Sequence, residues 1–180
     1  MPATAVFIDG GYLNAVLKRE FNSIRIDYRV LVNQIVGDER LLRAYYYHCP
    51  PFQSAPPTQD ERRRVSEMDA FFSQLRRLPR FEVRLGKLAR YYDATGKPVY
   101  KQKRVDILMG VELVLLAVKQ RIGRAALITG DSDLLPAVEI ARNEGVLVHL
   151  YHGQQYHNEL WDACDERTPI DMLVRSAKIS

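Results

Sequence analysis

The sequence predicts a three-layer α/β protein, with a parallel sheet covered by helices on both faces. Three observations predict it. Short apolar runs bounded by Gly and Asp alternate along the chain with segments whose apolar residues recur at helical spacing. No internal repeat, low-complexity tract or linker interrupts the alternation. The chain has 180 residues, 47% hydrophobic and 27% charged, which suits one ordinary domain over residues 1–180 with a proper core. Right-handed crossovers are expected between the strands.

The elements follow in order. Val6, Phe7 and Ile8 form an apolar run ending in Asp9-Gly10-Gly11, a buried strand and a turn. Residues 12–21 read as a helix with Leu13, Val16 and Leu17 inward. Asp27 is an N-cap for a helix over residues 28–36, closed by Gly37. Residues 41–48 are rich in β formers and make the next strand. Residues 49–59 hold four prolines and form a loop. Residues 60–78 carry Val65, Met68, Phe72 and Leu75 at helical spacing, with arginines on the other side. Residues 81–92 alternate as a strand, Asp93-Ala94-Thr95-Gly96 is a hairpin turn, and residues 99–101 return as a short strand. Residues 106–120 are apolar on nearly all sides, which predicts a mostly buried helix. The strand 125–129 ends in Gly130-Asp131-Ser132-Asp133, and a helix over 134–143 stops at Gly145. A strand over 146–151 and a short helix over 158–164 complete the reading.

Composition excludes several classes. No uncharged apolar run approaches a membrane span, since the richest, residues 113–118, is closed by Glu112 and Lys119. The apolar run before Asp9 has no basic segment ahead of it, unlike a secretory signal. Two cysteines, Cys49 and Cys164, are too few for a disulfide framework and argue for a reducing, cytoplasmic setting. P-loop, dinucleotide and Gly-x-Ser-x-Gly signatures are all missing. The net charge of +4 is unevenly spread: residues 61–104 hold 13 Lys/Arg against 5 Asp/Glu, a local +8. That asymmetry suggests a basic face for a polyanion, with acids set apart for another purpose.

In a parallel sheet, functional groups gather on the edge where strands end. Asp9 follows the first strand, and Asp131 and Asp133 follow the strand 125–129. Asp106 starts the helix that leads back to that strand, on the same edge. Each alone has a plain structural reading, as a turn residue or a helix N-cap. Together they are four acids from three segments, whose mutual repulsion a hard cation relieves. All-oxygen ligation suits Mg²⁺ or Mn²⁺, and zinc is disfavoured because no Cys or His joins the set. His149, His152 and Cys164 have weak zinc spacing and read as structural.

Val6-Phe7-Ile8-Asp9-Gly10-Gly11-Tyr12, Lys103-Arg104-Val105-Asp106 and Thr129-Gly130-Asp131-Ser132-Asp133 resemble the three motifs of the NYN (LabA-like) domains, a branch of the PIN-like nucleases. The resemblance spans roughly residues 5–173. It implies a Rossmann-like fold with a five-stranded parallel sheet of order 3-2-1-4-5 and a small hairpin extension. It also implies metal-dependent cleavage of RNA, with Asp9, Asp106, Asp131 and Asp133 as the catalytic, metal-holding acids. There are departures. Tyr12 stands where many relatives have Asn, leaving Asn14 as a stand-in, and Leu134 replaces a frequent Phe. Glu112 matches a second acid of the long helix, yet six residues turn about 600°, so it cannot share a face with Asp106. The departures bear on substrate handling more than on metal binding.

The basic region completes the reading. Lys101, Lys103 and Arg104 directly precede Asp106 and are expected to touch the substrate, as are Arg90, Asn14 and Ser132. Arg84, Lys87 and Arg90 partly alternate along a strand ending in Tyr91 and Tyr92, the pairing of cations and aromatics that holds single strands. Arg62–64 and Arg76–77 read instead as a solvated helix face, and Tyr45-Tyr46-Tyr47 as strand packing. The leading expectation is a metal-dependent endoribonuclease acting on single-stranded RNA, with no membrane partner and a homodimer left open. The alternative is a non-catalytic RNA-binding or regulatory module with the same fold. A haloacid-dehalogenase type of phosphatase is disfavoured, because that mechanism wants Asp-x-Asp after the first strand and here Asp9 is followed by Gly10-Gly11.

Overall fold

A computed structural model describes residues 3–179, with residues 101–103 through their backbone only. In chain order the elements are β1 (Ala3–Asp9), α1 (Gly10–Glu20), α2 (Tyr28–Val36), β2 (Leu41–His48), α3 (Gln59–Arg77), β3 (Phe81–Leu85), β4 (Lys87–Tyr92) and β5 (Pro98–Lys103). They continue with α4 (Val105–Val118), β6 (Ile122–Ile128), a 3-10 turn (Ser132–Leu134), α5 (Leu135–Asn143), β7 (Leu147–His152), α6 (Asn158–Ala163), β8 (Glu166–Pro169) and α7 (Asp171–Ser176). The α/β class holds, with helices on both faces of a parallel sheet. Among the described residues no helix is long and apolar enough to cross a membrane.

The sheet differs from the expected five strands. It has six, in the order β3-β2-β1-β6-β7-β8, and every neighbouring pair is parallel. The added strand β8, Glu-Arg-Thr-Pro, lies at the edge and pairs only with β7. It carries no apolar alternation, and Pro169 ends it, as suits an edge strand.

Burial explains why the strands read as continuous apolar runs. Along β1, Val6 and Ile8 face α1, α2, α3 and α7, while Ala5 and Phe7 face α4, α5 and α6. The three tyrosines of β2 divide in the same way and are all buried, as packing residues. Tyr45 and Tyr47 stack on Phe7 at 5.5 and 6.5 Å, whereas Tyr46 meets Tyr28 edge-on at 5.5 Å.

Three further expectations are corrected. Gly10 and Gly11 are the first turn of α1 rather than a separate turn, because Asp9 caps the helix directly. Residues 81–92 are not one strand: Gly86 donates its N–H to the His48 carbonyl at 2.8 Å, ending the ladder with β2. Beyond it β4 pairs with β5 alone, in a hairpin set by Asp93, whose Oδ1 accepts from the N–H groups of Thr95 and Lys97. Finally, α4 is half-exposed. Met109 and Leu113 are buried, but Ile107, Val111, Leu115 and Val118 form an apolar outer stripe, Ile107 being 68% exposed.

The entry to α1 is tightly constrained. A Cβ on Gly10 would stand 2.4 Å from the ring carbon and hydroxyl of Tyr46. Tyr46 is fully buried against Tyr28, Phe71 and Phe72 and cannot swing aside. Gly10→Ala is therefore expected to destabilise the protein by about 1–3 kcal/mol through overpacking. A thermal melt checks this, and an unchanged melting temperature would show that the ring yields.

Candidate functional site

The site begins with the pairing of β1 and β6, in which Ile8 lies opposite Ile128. Their carboxyl ends emerge side by side, where strand order reverses between β2 on one flank and β7 on the other. Asp9 leaves β1 as the N-cap of α1, and its Oδ1 accepts the Tyr12 N–H at 3.0 Å. After β6 the buried Thr129 accepts the Asp131 N–H on its Oγ1 at 3.3 Å. Asp131 in turn caps the 3-10 turn, accepting the Asp133 N–H at 3.0 Å. The hairpin returns the chain to the same edge, where α4 starts. Asp106 sits in the first turn of α4, where the helix dipole favours an anion.

These acids converge. One carboxylate oxygen from each of Asp106, Asp131 and Asp133 lies within 4.8 Å of the other two. No other group of three His, Cys, Asp or Glu side chains among the described residues is so arranged. Asp9 stands beside them, close enough for the charges of Asp106 and Asp131 to act on it. Burial is the main force that pushes its carboxyl up to about 6; those two charges add to it, and the Tyr12 and Gly11 N–H groups oppose it. Asp106 is also raised, first by burial and then by the charges of Asp131 and Asp133. Crowded, partly desolvated carboxylates with no soft donor fit a hard divalent cation such as Mg²⁺ or Mn²⁺.

Asp9, Asp106 and Asp131 line a cavity of about 540 Å³, together with Gly11 and Gly130. The rest of its wall comes from Tyr12, Arg19, Gln155, Tyr156 and His157. Of these five, only Tyr12 attracts notice in the sequence, as a departure from a family motif. Its hydroxyl donates to the Gln155 carbonyl at 2.8 Å and accepts the Gly153 N–H at 2.9 Å. Its ring fills the space a side chain would need at position 130, since a Cβ there would lie 2.5 Å away. The four loop and helix residues carry no motif, and only the tertiary fold brings them to the acids.

Asn14, Arg90, Arg104 and Ser132, also expected at the substrate, are not among the described residues that line this cavity. Asn14 lies further along α1, with Nδ2 3.3 Å from His48 Nε2. Arg90 sits on the hairpin, over Phe52 at 4.5 Å and Tyr92 at 5.3 Å. Arg104, exposed and left-handed at φ 75°, precedes α4. Lys101 and Lys103 belong to β5, and their side chains lie outside the described residues. Ser132 opens the 3-10 turn, half-buried between the two motif acids. Glu112 accepts from the Tyr47 hydroxyl at 2.8 Å and pairs with Arg84 at 3.0 Å. His149 engages Arg124, Glu166 and Thr168, and Cys164 is buried elsewhere, its thiol pushed up to about 11 by burial.

Comparison with known proteins agrees with this architecture. The family model described as NYN domain matches residues 3–171. The uncharacterised protein y4oD of Sinorhizobium fredii is 44% identical over 50 residues, which are 28% of this chain and 23% of that protein's length. A crystal structure of a protein of unknown function from Vibrio parahaemolyticus superposes with a TM-score of 0.70 at 19% identity, covering 96% of this chain and 95% of the other. At that identity the likeness shows the fold.

The crowding has a pH signature without metal. Folded Asp9 keeps its proton up to about pH 6, whereas the unfolded chain releases it near 3.8. The folded state therefore binds more protons in between, and stability falls as pH rises through that window. Asp9→Asn keeps a cap acceptor and removes the charge. In EDTA its melting temperature is expected to gain on the parent protein between about pH 4 and pH 7, and a constant difference across that range would contradict the assignment.

Proposed function

Because the chain belongs to the NYN domain family of PIN-like nucleases, we propose that it is a metal-dependent endoribonuclease that hydrolyses single-stranded RNA at the acidic cavity. The observation that carries this reading is the convergence of Asp106, Asp131 and Asp133 beside Asp9 at the strand-order reversal. Those four side chains would hold Mg²⁺ or Mn²⁺. When bound, a divalent cation supplies Lewis-acid stabilisation of the charge that builds on a phosphodiester during in-line attack by water. The chain's own part is to hold the acids in place before substrate arrives. Backbone N–H groups fix Asp9 and Asp131, and the first turn of α4 fixes Asp106.

The hairpin supports a single-stranded polyanion as substrate. Residues 87–104 hold six Lys/Arg and one Asp. Arg90 lies over Phe52 and Tyr92, and Phe52 contacts Tyr100 at 5.3 Å between ring centres. Tyr92 is 63% exposed and Tyr100 46%. Aromatic faces interleaved with guanidinium groups bind unpaired bases and phosphates without reading sequence. The hairpin runs through Arg104 into α4, so this surface and Asp106 are joined by two residues.

Two experiments test the reading. Asp131→Asn is expected to keep the fold and to lower cleavage of labelled single-stranded RNA in Mn²⁺ or Mg²⁺ by at least ~100-fold, since several kcal/mol of transition-state stabilisation depend on the cation. If the wild-type protein cleaves in neither metal yet binds RNA, the non-catalytic module is the correct reading. Arg90→Ala is expected to weaken RNA binding and to reduce the log–log salt slope by up to ~0.7, one single-strand phosphate contact. An unchanged slope would take the hairpin out of the substrate path.

A further inference from the structure

The segment between β7 and α6, residues 153–157, has no helix or strand of its own, yet its backbone is tied at four points. The Gly153 N–H donates to the Tyr12 hydroxyl at 2.9 Å, and the Gln154 N–H donates to Glu20 at 2.9 Å. The Gln155 carbonyl accepts from Tyr12 at 2.8 Å, and the His157 N–H donates to the Gly130 carbonyl at 3.1 Å. Gly153 is packed so closely on Val16 and Glu20 that a Cβ would come within 2.7 Å of both. With these backbone groups satisfied by α1 and by the residue before Asp131, Gln155, Tyr156 and His157 are held as part of the wall of the acidic cavity.

Tyr156 is the most firmly set of the three. Its ring meets His152 edge-on at 4.5 Å and lies near-parallel to Trp161 at 6.2 Å, and Arg167 covers Trp161 at 4.4 Å. A braced aromatic side chain on a cavity wall presents a stacking face that loses little freedom on binding. Two donors without a carboxylate partner in the cavity accompany it, the guanidinium of Arg19 from the last turn of α1 and the ring N–H of His157. Such groups do not suit a cation. They suit the phosphate and base of a nucleotide beside the acids.

We propose that Tyr156, Arg19 and His157 form a nucleotide subsite of the cavity, in which Tyr156 stacks on the base next to the cleaved bond and Arg19 and His157 bind its phosphate. The proposal rests on the nuclease reading above. The Tyr12 hydroxyl ties Gly153 and Gln155, the stretch that leads into Tyr156, and the Gly130 carbonyl holds His157 on its other side.

The test uses the Asp131→Asn protein, so that RNA survives, and measures anisotropy of a labelled six-nucleotide single-stranded RNA in Mg²⁺. Tyr156→Ala is expected to weaken binding about 5- to 100-fold, the range of one base stack. Tyr156→Phe keeps the ring and is expected to bind like its parent. If Tyr156→Ala melts early, Tyr156→Leu, which keeps apolar volume against Trp161, is expected to show the loss with the fold intact. Arg19→Ala is expected to reduce the salt slope by up to ~0.7. If the wild-type protein cleaves RNA while folded Tyr156 variants bind unchanged, the subsite is overturned and the nuclease reading stands. If the wild-type protein neither binds nor cleaves RNA, both fall.

Discussion

The parallel pairing of β1 with β6 is the constraint on which everything else depends. These strands are far apart in sequence, and the chain departs from them in opposite directions, to β2 and β3 on one side and to β7 and β8 on the other. Strand order reverses at the seam between them, and a cavity lined by Asp9, Gly130 and Asp131 opens at their carboxyl ends. Asp9 closes β1 and Asp131 follows the end of β6 by three residues, and each caps the helical turn that comes next. The residues that serve as caps are thus the residues that line the cavity. The structural reading of Asp9 and Asp131 does not compete with the proposed functional one, because the cap bonds from Tyr12 and Asp133 each run to a single carboxylate oxygen, Oδ1.

Holding four acids at one edge works against folding, and the fold offsets part of that burden locally. Backbone N–H groups bond Asp9 and Asp131, and the start of α4 lies under Asp106. Burial and like charge still hold the carboxyls of Asp9 and Asp106 above their ordinary range. The proposed affinity for a cation and the discomfort without one would be two descriptions of the same arrangement.

The acids were legible because each sits at a local boundary: Asp9 at the end of an apolar strand, Asp131 and Asp133 in the turn after another, and Asp106 in the first turn of a helix. Alternation of strand and helix patterns was enough for the α/β class, and periodicity placed α1, α2 and α3 closely. What failed to show had no local signal. Three polar residues and a proline make β8, which pairs along the edge of β7. Gly86 breaks an apparently continuous strand through one hydrogen bond to a residue 38 positions earlier, His48. The outer stripe of α4 defeated the burial argument because hydrophobicity all round a helix does not say which side the sheet takes. Tyr12 was noticed only as a departure. Its partners lie 141 and 143 residues away, beyond the reach of any spacing rule.

The close approach of Tyr12 to Gly130 makes those two positions share one volume. A Cβ at position 130 would press on the Tyr12 ring at 2.5 Å and on the Gln155 carbonyl at 3.0 Å, so the tyrosine at 12 and the turn it holds both call for glycine there. The same ring also replaces whatever would otherwise join α1 to the loop after β7. In this chain positions 12 and 130 therefore act as one packing unit: the bulk comes from α1, the backbone after β6 stays bare, and a change at either position is felt at the other.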